Sequence, residues 1–183
     1  MKPIIFTGES IPAILEGRKT MTRRVLRDQP LCSAERWIEI GGPQNAKLPY
    51  QVGDLLWVRE TWDWNEEFGS KSRDCPYLFY QANQIQPEPR NSPKWRPSIF
   101  MPRWASRITL KVTTVKVERV QEISEDDTCS EGVSWESWAV ENDMGDWPAI
   151  NAFRALWDSL NAKRGHGWDQ NDWVGAYTFE VQP

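Results

Sequence analysis

Between Arg107 and Val120, Ile108, Leu110, Val112, Thr114 and Lys116 share one side, while Thr109, Lys111, Thr113, Val115 and Val117 share the other. The apolar side changes near Val115, which predicts one long bent strand or two strands joined by a bulge. A helical period follows later: Ile150, Phe153, Leu156, Trp157 and Leu160 fall at spacings of three and four, predicting a helix over Ala149 to Leu160. Shorter apolar runs predict strands at Ile4 to Phe6, Leu55 to Val58 running out through Arg59 and Glu60, Tyr77 to Gln81, and Trp173 to Val181.

Turn and cap chemistry divides these elements. Ser10 can cap a helix over Ile11 to Glu16, with Pro12 tolerated in its first turn and Gly17 ending it. Gly53-Asp54 reads as the turn before the Leu55 strand. Ser124 can cap a short helix whose first turn is acidic, Glu125-Asp126-Asp127. Two stretches interrupt the pattern: Gln29 to Pro49, broken by prolines and glycines, and Trp62 to Pro102, whose Pro87 to Pro102 end is proline-rich. The expectation is a single α+β domain over 1–183, with insertions near 29–50 and 62–102, whose strands meet in one sheet or small barrel.

At 183 residues, 39% apolar and 26% charged, the chain has the balance of a soluble domain, with no long uncharged apolar run for a membrane span. The amino-terminal run reads as a strand and not a signal peptide, since Glu9 interrupts it. Cys32, Cys75 and Cys129 are scattered and read as free thiols of a reducing cytoplasm. With His166 the only histidine, a zinc site or a Ser-His-Asp triad has little to draw on, so neither metal nor cofactor is expected.

The net charge of −4 argues against a general nucleic-acid coat, but its distribution is uneven. Arg90 to Arg119 is basic, with Glu118 its only acid, and every charge from Glu122 to Asp146 is acidic. Two faces that complement each other would look this way, as would a basic phosphate-binding surface beside an acidic cap. Twelve tryptophans add a further question. Trp57, Trp157 and Trp173 fall in predicted elements and read as core. Trp62, Trp64, Trp95 and Trp104 fall in loops or at strand ends, where they either pin the insertions to the core or stack on a base. Trp135, Trp138 and Trp147 are expected to cover the helical segment.

The densest chemistry lies in Gly17-Arg18-Lys19-Thr20-Met21-Thr22-Arg23-Arg24, which puts four cationic side chains and two threonines in eight residues. Read as one loop behind a helix, it can hold an anion or grip the oxygen-bearing edge of a base. Its spacing, G-x-K-x-x-T-x-R within Ile14 to Arg24, resembles the signature of ASCH domains, which are similar in fold to PUA domains. Gly53 to Val58 resembles the family's G-D strand, Ile123 to Gly132 its later helix, and Tyr177 to Val181 its last strand. Pro3 to Glu60 and Arg103 to Val181 resemble longer ASCH proteins of phages and prophages, including the run Trp57 to Trp62.

The resemblance implies a PUA-like β-barrel or sheet with a few helices, in a bacterial or phage-infected cytoplasm, acting on a nucleoside or RNA without a membrane or metal. Some small members are amidohydrolases that deacylate N4-acetylcytidine; others are described as RNA binders or ribonucleases. The amidohydrolase roles fall on Lys19, Thr22 and Glu131. Glu131 would move protons, Lys19 would lower the cost of developing negative charge, and Thr22 would be nucleophile or would aim a water. Arg23, Arg24, Glu60, Trp62 and Arg103 are the expected nucleobase or phosphate contacts. Each has a plainer alternative. Lys19 and Arg23 could be solvated, Thr22 a turn cap, and Glu131 a surface carboxylate. Glu60 could pair with a loop arginine, and Arg103 and Arg107 with the acidic segment. The added length of this chain, against the small enzymes, leaves the substrate open.

Overall fold

The computed structural model describes residues 1–27, 29, 47–64, 78–83, 94–134 and 148–183. They form two compact units: Met1–Gly17, Gly53–Lys111 and Glu180–Pro183 in the first, Arg18–Val52 and Val112–Phe179 in the second. Both combine strands with helices, so the α+β expectation holds.

In the first unit, strand β1 (Lys2–Ile5) runs parallel to β3 (Leu55–Arg59), Ile4 lying opposite Val58. Helix α1 (Ser10–Leu15) stands between them in sequence. It begins one residue earlier than the sequence suggests. The amide nitrogens of Ser10 and Ile11 already bond to the carbonyls of Thr7 and Gly8, so Glu9 takes the cap position without a side-chain bond. Ser10 is left to pair its hydroxyl with that of Thr7 at 3.0 Å. Gly17 ends the turn at φ +74, and Gly53 makes the turn before β3 at φ +88. The opening residues of β6 (Thr109–Arg119) pair antiparallel with β3, Leu110 opposite Leu56.

A two-stranded ribbon follows, β4 (Trp62–Trp64) with β5 (Leu78–Tyr80). Trp62 and Trp64, expected in loops or at strand ends, form a strand of their own, and Gln81, expected in the second strand, opens a 3₁₀ turn instead. Trp62, Met101 and Ala105 form the core of the ribbon, with Trp64, Tyr80 and Trp104 packed around them. Trp62 and Trp64 both meet the Trp104 ring edge-on, at 5.8 and 5.3 Å. These tryptophans pin the insertion, as the packing alternative required.

In the second unit, β2 (Met21–Val25) pairs antiparallel with β7 (Trp173–Gln182), and β7 neighbours β6. The long strand switches faces as its pattern predicts. Leu110 and Val112 are buried, whereas Thr114 and Lys116 on the same side are exposed. Ser124 caps helix α2 (Glu125–Ser130) by accepting from the Asp127 amide at 3.1 Å. Helix α3 (Pro148–Asn161) turns Phe153 and Trp157 into a cluster with Val120, Ile123, Trp168 and Val174. Leu160, counted on that face, is exposed instead, because the last core contact of the helix is made one turn earlier by Trp157.

Trp57, Trp157 and Trp173 are buried as expected. Cys129 is a free, exposed thiol, while Cys32, Cys75, Trp135, Trp138 and Trp147 lie outside the described residues. Among the described residues no helix is long and apolar enough to cross a membrane.

Candidate functional site

The Gly17–Arg24 segment is not one loop. From Met21 it is strand β2, so Thr22 and Arg24 share one face while Met21 and Arg23 share the other. Ahead of the strand, Lys19 forms an isolated antiparallel bridge with Glu131, the residue capping the end of α2. The Thr20 amide donates to the Ser130 carbonyl, and the Thr20 carbonyl accepts from Phe179, both at 2.8 Å. The signature segment is therefore laced to the end of α2 on one side and to β7 on the other.

That lacing brings two predicted residues together. Lys19 Nζ donates to Glu131 Oε2 at 2.7 Å and to the Glu131 main-chain oxygen at 2.6 Å, with both residues only 5% exposed. The ammonium thus holds the carboxylate and also satisfies a carbonyl at the helix end. Gly132 follows at φ +76, the left-handed residue that lets the chain leave the helix there. Neither residue is the solvated surface charge that the plainer reading allowed.

Arg23 lies beneath this pair, its side chain fully buried. Its Nε donates to Glu118 Oε1 at 2.8 Å, its Nη2 to Asp127 Oδ2 at 2.5 Å, and its Nη1 more loosely to Glu131 Oε1 at 3.4 Å. These carboxylates occupy the fork that a phosphate or base would need. Arg23 positions Glu131 and α2 against β2, and its expected place as a ligand contact gives way to that task.

Thr22 and Arg24 face the other way, across from β7. Thr22 lies opposite Tyr177 and Arg24 opposite Gly175. Directly opposed residues of an antiparallel pair share a face, so these four form one patch. Thr22 is 4% exposed. Tyr50 closes on the patch with its ring edge-on to Tyr177, centroids 5.3 Å apart. Burial pushes the Tyr177 phenol up to about 12, with Tyr50 adding to the shift and Arg24 opposing it. Burial likewise raises Tyr50 against the pull of Arg24. For Arg24, burial lowers the value, opposed by Tyr50, Glu131 and Tyr177, so Glu131 lies within charge reach of this face too.

The remaining expected contacts belong to the first unit. Glu60 is 2% exposed and takes the fork of Arg107, Nε at 2.8 Å and Nη2 at 2.9 Å. Arg107 also donates to Asn83 at 2.8 Å and stacks over Tyr80 at 4.1 Å. Glu60 therefore follows its plainer reading and pairs with an arginine. Trp62, at 3% exposure, is a core ring with no face for a base to stack on. Arg103 is exposed, at the start of a single 3₁₀ turn, Arg103–Ala105.

Tyr50 and Tyr177 carry no signal of this role in the sequence. The pattern places Tyr177 only in a closing strand, and its partner strand is not legible without the register that sets it against Thr22. Tyr50 follows the irregular stretch, where periodicity carries no signal.

No family model matches the chain, and no curated protein does. Among solved structures it is similar to an ASCH domain from Lactobacillus crispatus JV V101, at 17% identity and a TM-score of 0.41, covering 93% of this chain and 68% of that one. It is also similar to protein EF3133 from Enterococcus faecalis V583, of family DUF984, at 12% identity and a TM-score of 0.42, covering 93% of this chain and 64% of that one.

Proposed function

We propose that the chain is an ASCH-type amidohydrolase that removes the acyl group from an N4-acylated cytosine nucleoside, with Lys19, Thr22 and Glu131 as its working centre. The observation that carries this reading is the buried Lys19–Glu131 contact at 2.7 Å, which joins two of the three residues singled out by the signature.

The chemistry follows from the groups present. Amide hydrolysis consumes one water and yields a carboxylic acid and an amine. Glu131 accepts the proton of the attacking water, or of Thr22 where the hydroxyl attacks first, and returns it to the exocyclic nitrogen as the C–N bond breaks. In the second case a water deprotonated by Glu131 then cleaves the Thr22 ester, releasing the acid and returning the proton to the hydroxyl. The tetrahedral intermediate carries its charge on the former carbonyl oxygen, where the Lys19 ammonium lowers its energy. Arg23 holds the carboxylate in place from beneath.

The test is release of cytidine and acetate from N4-acetylcytidine, followed by chromatography. Turnover by wild type, absent in Lys19→Ala and in Glu131→Gln, supports the assignment. Equal product from wild type and both variants sinks it.

A second reading is favoured by one observation in the first unit. Trp95 is 37% exposed and Phe100 71%, and exposed Arg103 lies in the same segment. Exposed aromatics among cations are what a single-stranded RNA stacks on. This reading expects RNA binding that weakens steeply with salt and quenches tryptophan emission.

A further inference from the structure

The Tyr177 hydroxyl is buried and has no hydrogen-bond partner among the described residues. Leaving such a group unmatched costs on the order of 1–3 kcal/mol, so it calls for an explanation. The surrounding backbone makes the arrangement specific. The ring folds back along β7 over Gly175, where a Cβ would lie 2.5 Å from the hydroxyl oxygen and 2.8 and 2.9 Å from ring carbons. Gly175 is the register partner of Arg24. The absence of a side chain at 175 thus delivers the hydroxyl to the place facing Arg24, beside the Thr22 position.

We propose that Tyr177, with Arg24, holds an oxygen acceptor on a flat ring, the ring carbonyl of a pyrimidine, while the Tyr50 ring covers that oxygen. The proposal rests on the hydrolase reading and deepens it, because it names the part of the nucleoside gripped away from the acyl group.

Three features select this chemistry. A phenol that burial keeps protonated up to about pH 12 serves as a donor, and a guanidinium has only donors to offer. Two donors on one face suit an oxygen. The edge-on Tyr50–Tyr177 pair supplies an aromatic wall for a planar ring. Glu131, within charge reach of Arg24, disfavours a second negative charge there, so a neutral carbonyl fits better than a phosphate. Tyr50 is only half-buried, so its ring can swing aside to admit the ligand and close again over it.

The experiment is calorimetric binding of cytidine and of 2-thiocytidine, whose sulfur is the weaker acceptor, to the full chain and to Tyr177→Phe. The variant removes one oxygen that bonds to nothing among the described residues, so its melting temperature should be unchanged or higher. Cytidine should bind the variant on the order of tenfold more weakly. Wild type should prefer cytidine over the thio analogue by a similar factor, and the variant should lose that preference. Should the variant fold poorly, the wild-type preference alone decides.

Equal cytidine affinity in both proteins, or no preference in wild type, overturns the proposal; the hydroxyl then faces a buried water at most. Displacement of cytidine by inorganic phosphate overturns it in favour of an anion site. N4-acetylcytidine turnover in the same samples separates the two ideas. Preference without turnover keeps the carbonyl contact and sinks the hydrolase, whereas turnover without preference does the reverse.

Discussion

Lys19 and Glu131 are 112 residues apart, yet one ammonium holds both the carboxylate and the main-chain oxygen of the glutamate. A glutamate gripped at both ends has little freedom to turn its carboxylate elsewhere. That is the preorganisation a proton-transfer group needs, since the geometry is set before substrate arrives.

The two partners should fail differently. Lys19→Ala leaves a buried carboxylate whose remaining contact among the described residues is the loose one to Arg23, and breaking one side of a buried pair costs roughly 3–5 kcal/mol. Glu131→Gln keeps the shape and an acceptor oxygen for Lys19. The expected result is loss of turnover in both, with a clearly lower melting temperature in Lys19→Ala than in Glu131→Gln. Equal melting temperatures would contradict this account of the pair.

Arg23 is assigned to architecture and not to ligand. Arg23→Leu should lower stability by about 3 kcal/mol, because Glu131 cannot rehydrate, whereas Glu118 and Asp127 are nearer solvent. Arg23→Lys should recover only part, since a single ammonium cannot reproduce the fork. Urea midpoints measure both, and an unshifted midpoint for Arg23→Leu counts against the assignment.

Tyr177 gives stability a particular alkaline limit. Its phenol titrates near 10 in an unfolded chain and at about 12 in the folded protein. Below pH 10 both states hold the proton and its contribution is complete. Between 10 and 12 the unfolded chain releases the proton first, so stability falls as pH rises. Tyr50, also raised, adds a slope of the same sign. The melting temperature of wild type, taken relative to that of Tyr177→Phe, should therefore fall across that window. A relative melting temperature that rises with pH reverses the sign and counts against this linkage.

The tryptophans of the first unit should separate by burial. Trp62→Ala opens a core cavity and should cost about 3–5 kcal/mol. Trp95→Ala should be nearly neutral for folding. If RNA binds this unit, Trp95→Ala should weaken binding and remove most of the quench. Quenching that survives the change places the contact elsewhere.

What could be read from the chain divides along physical lines. The periodicity of Thr109–Arg119, the Ser124 cap and the Gly17 and Gly53 turns are local signals, and each appears where its chemistry put it. The strand at Met21–Val25 was hidden because Thr22, Arg23 and Arg24 look like loop residues until β7 and α2 supply their partners. The meeting of Lys19 with Glu131 entered through a family resemblance and not through spacing. Glu60 and Trp62 misled for the opposite reason: a charge and an aromatic at a strand end look like ligand groups, whereas Arg107 and Trp104 had already claimed them.

The Gly175–Tyr177 contact has a consequence for how this sequence can vary. A side chain at 175 meets the ring, so Gly175→Ala should be strained in wild type and should cost much less in a Tyr177→Ala background, whose own cavity cost is separate. The ring dictates the glycine, and not the reverse. Relatives that keep the aromatic ring should keep glycine two residues before it, and those with a side chain at 175 should lack the ring.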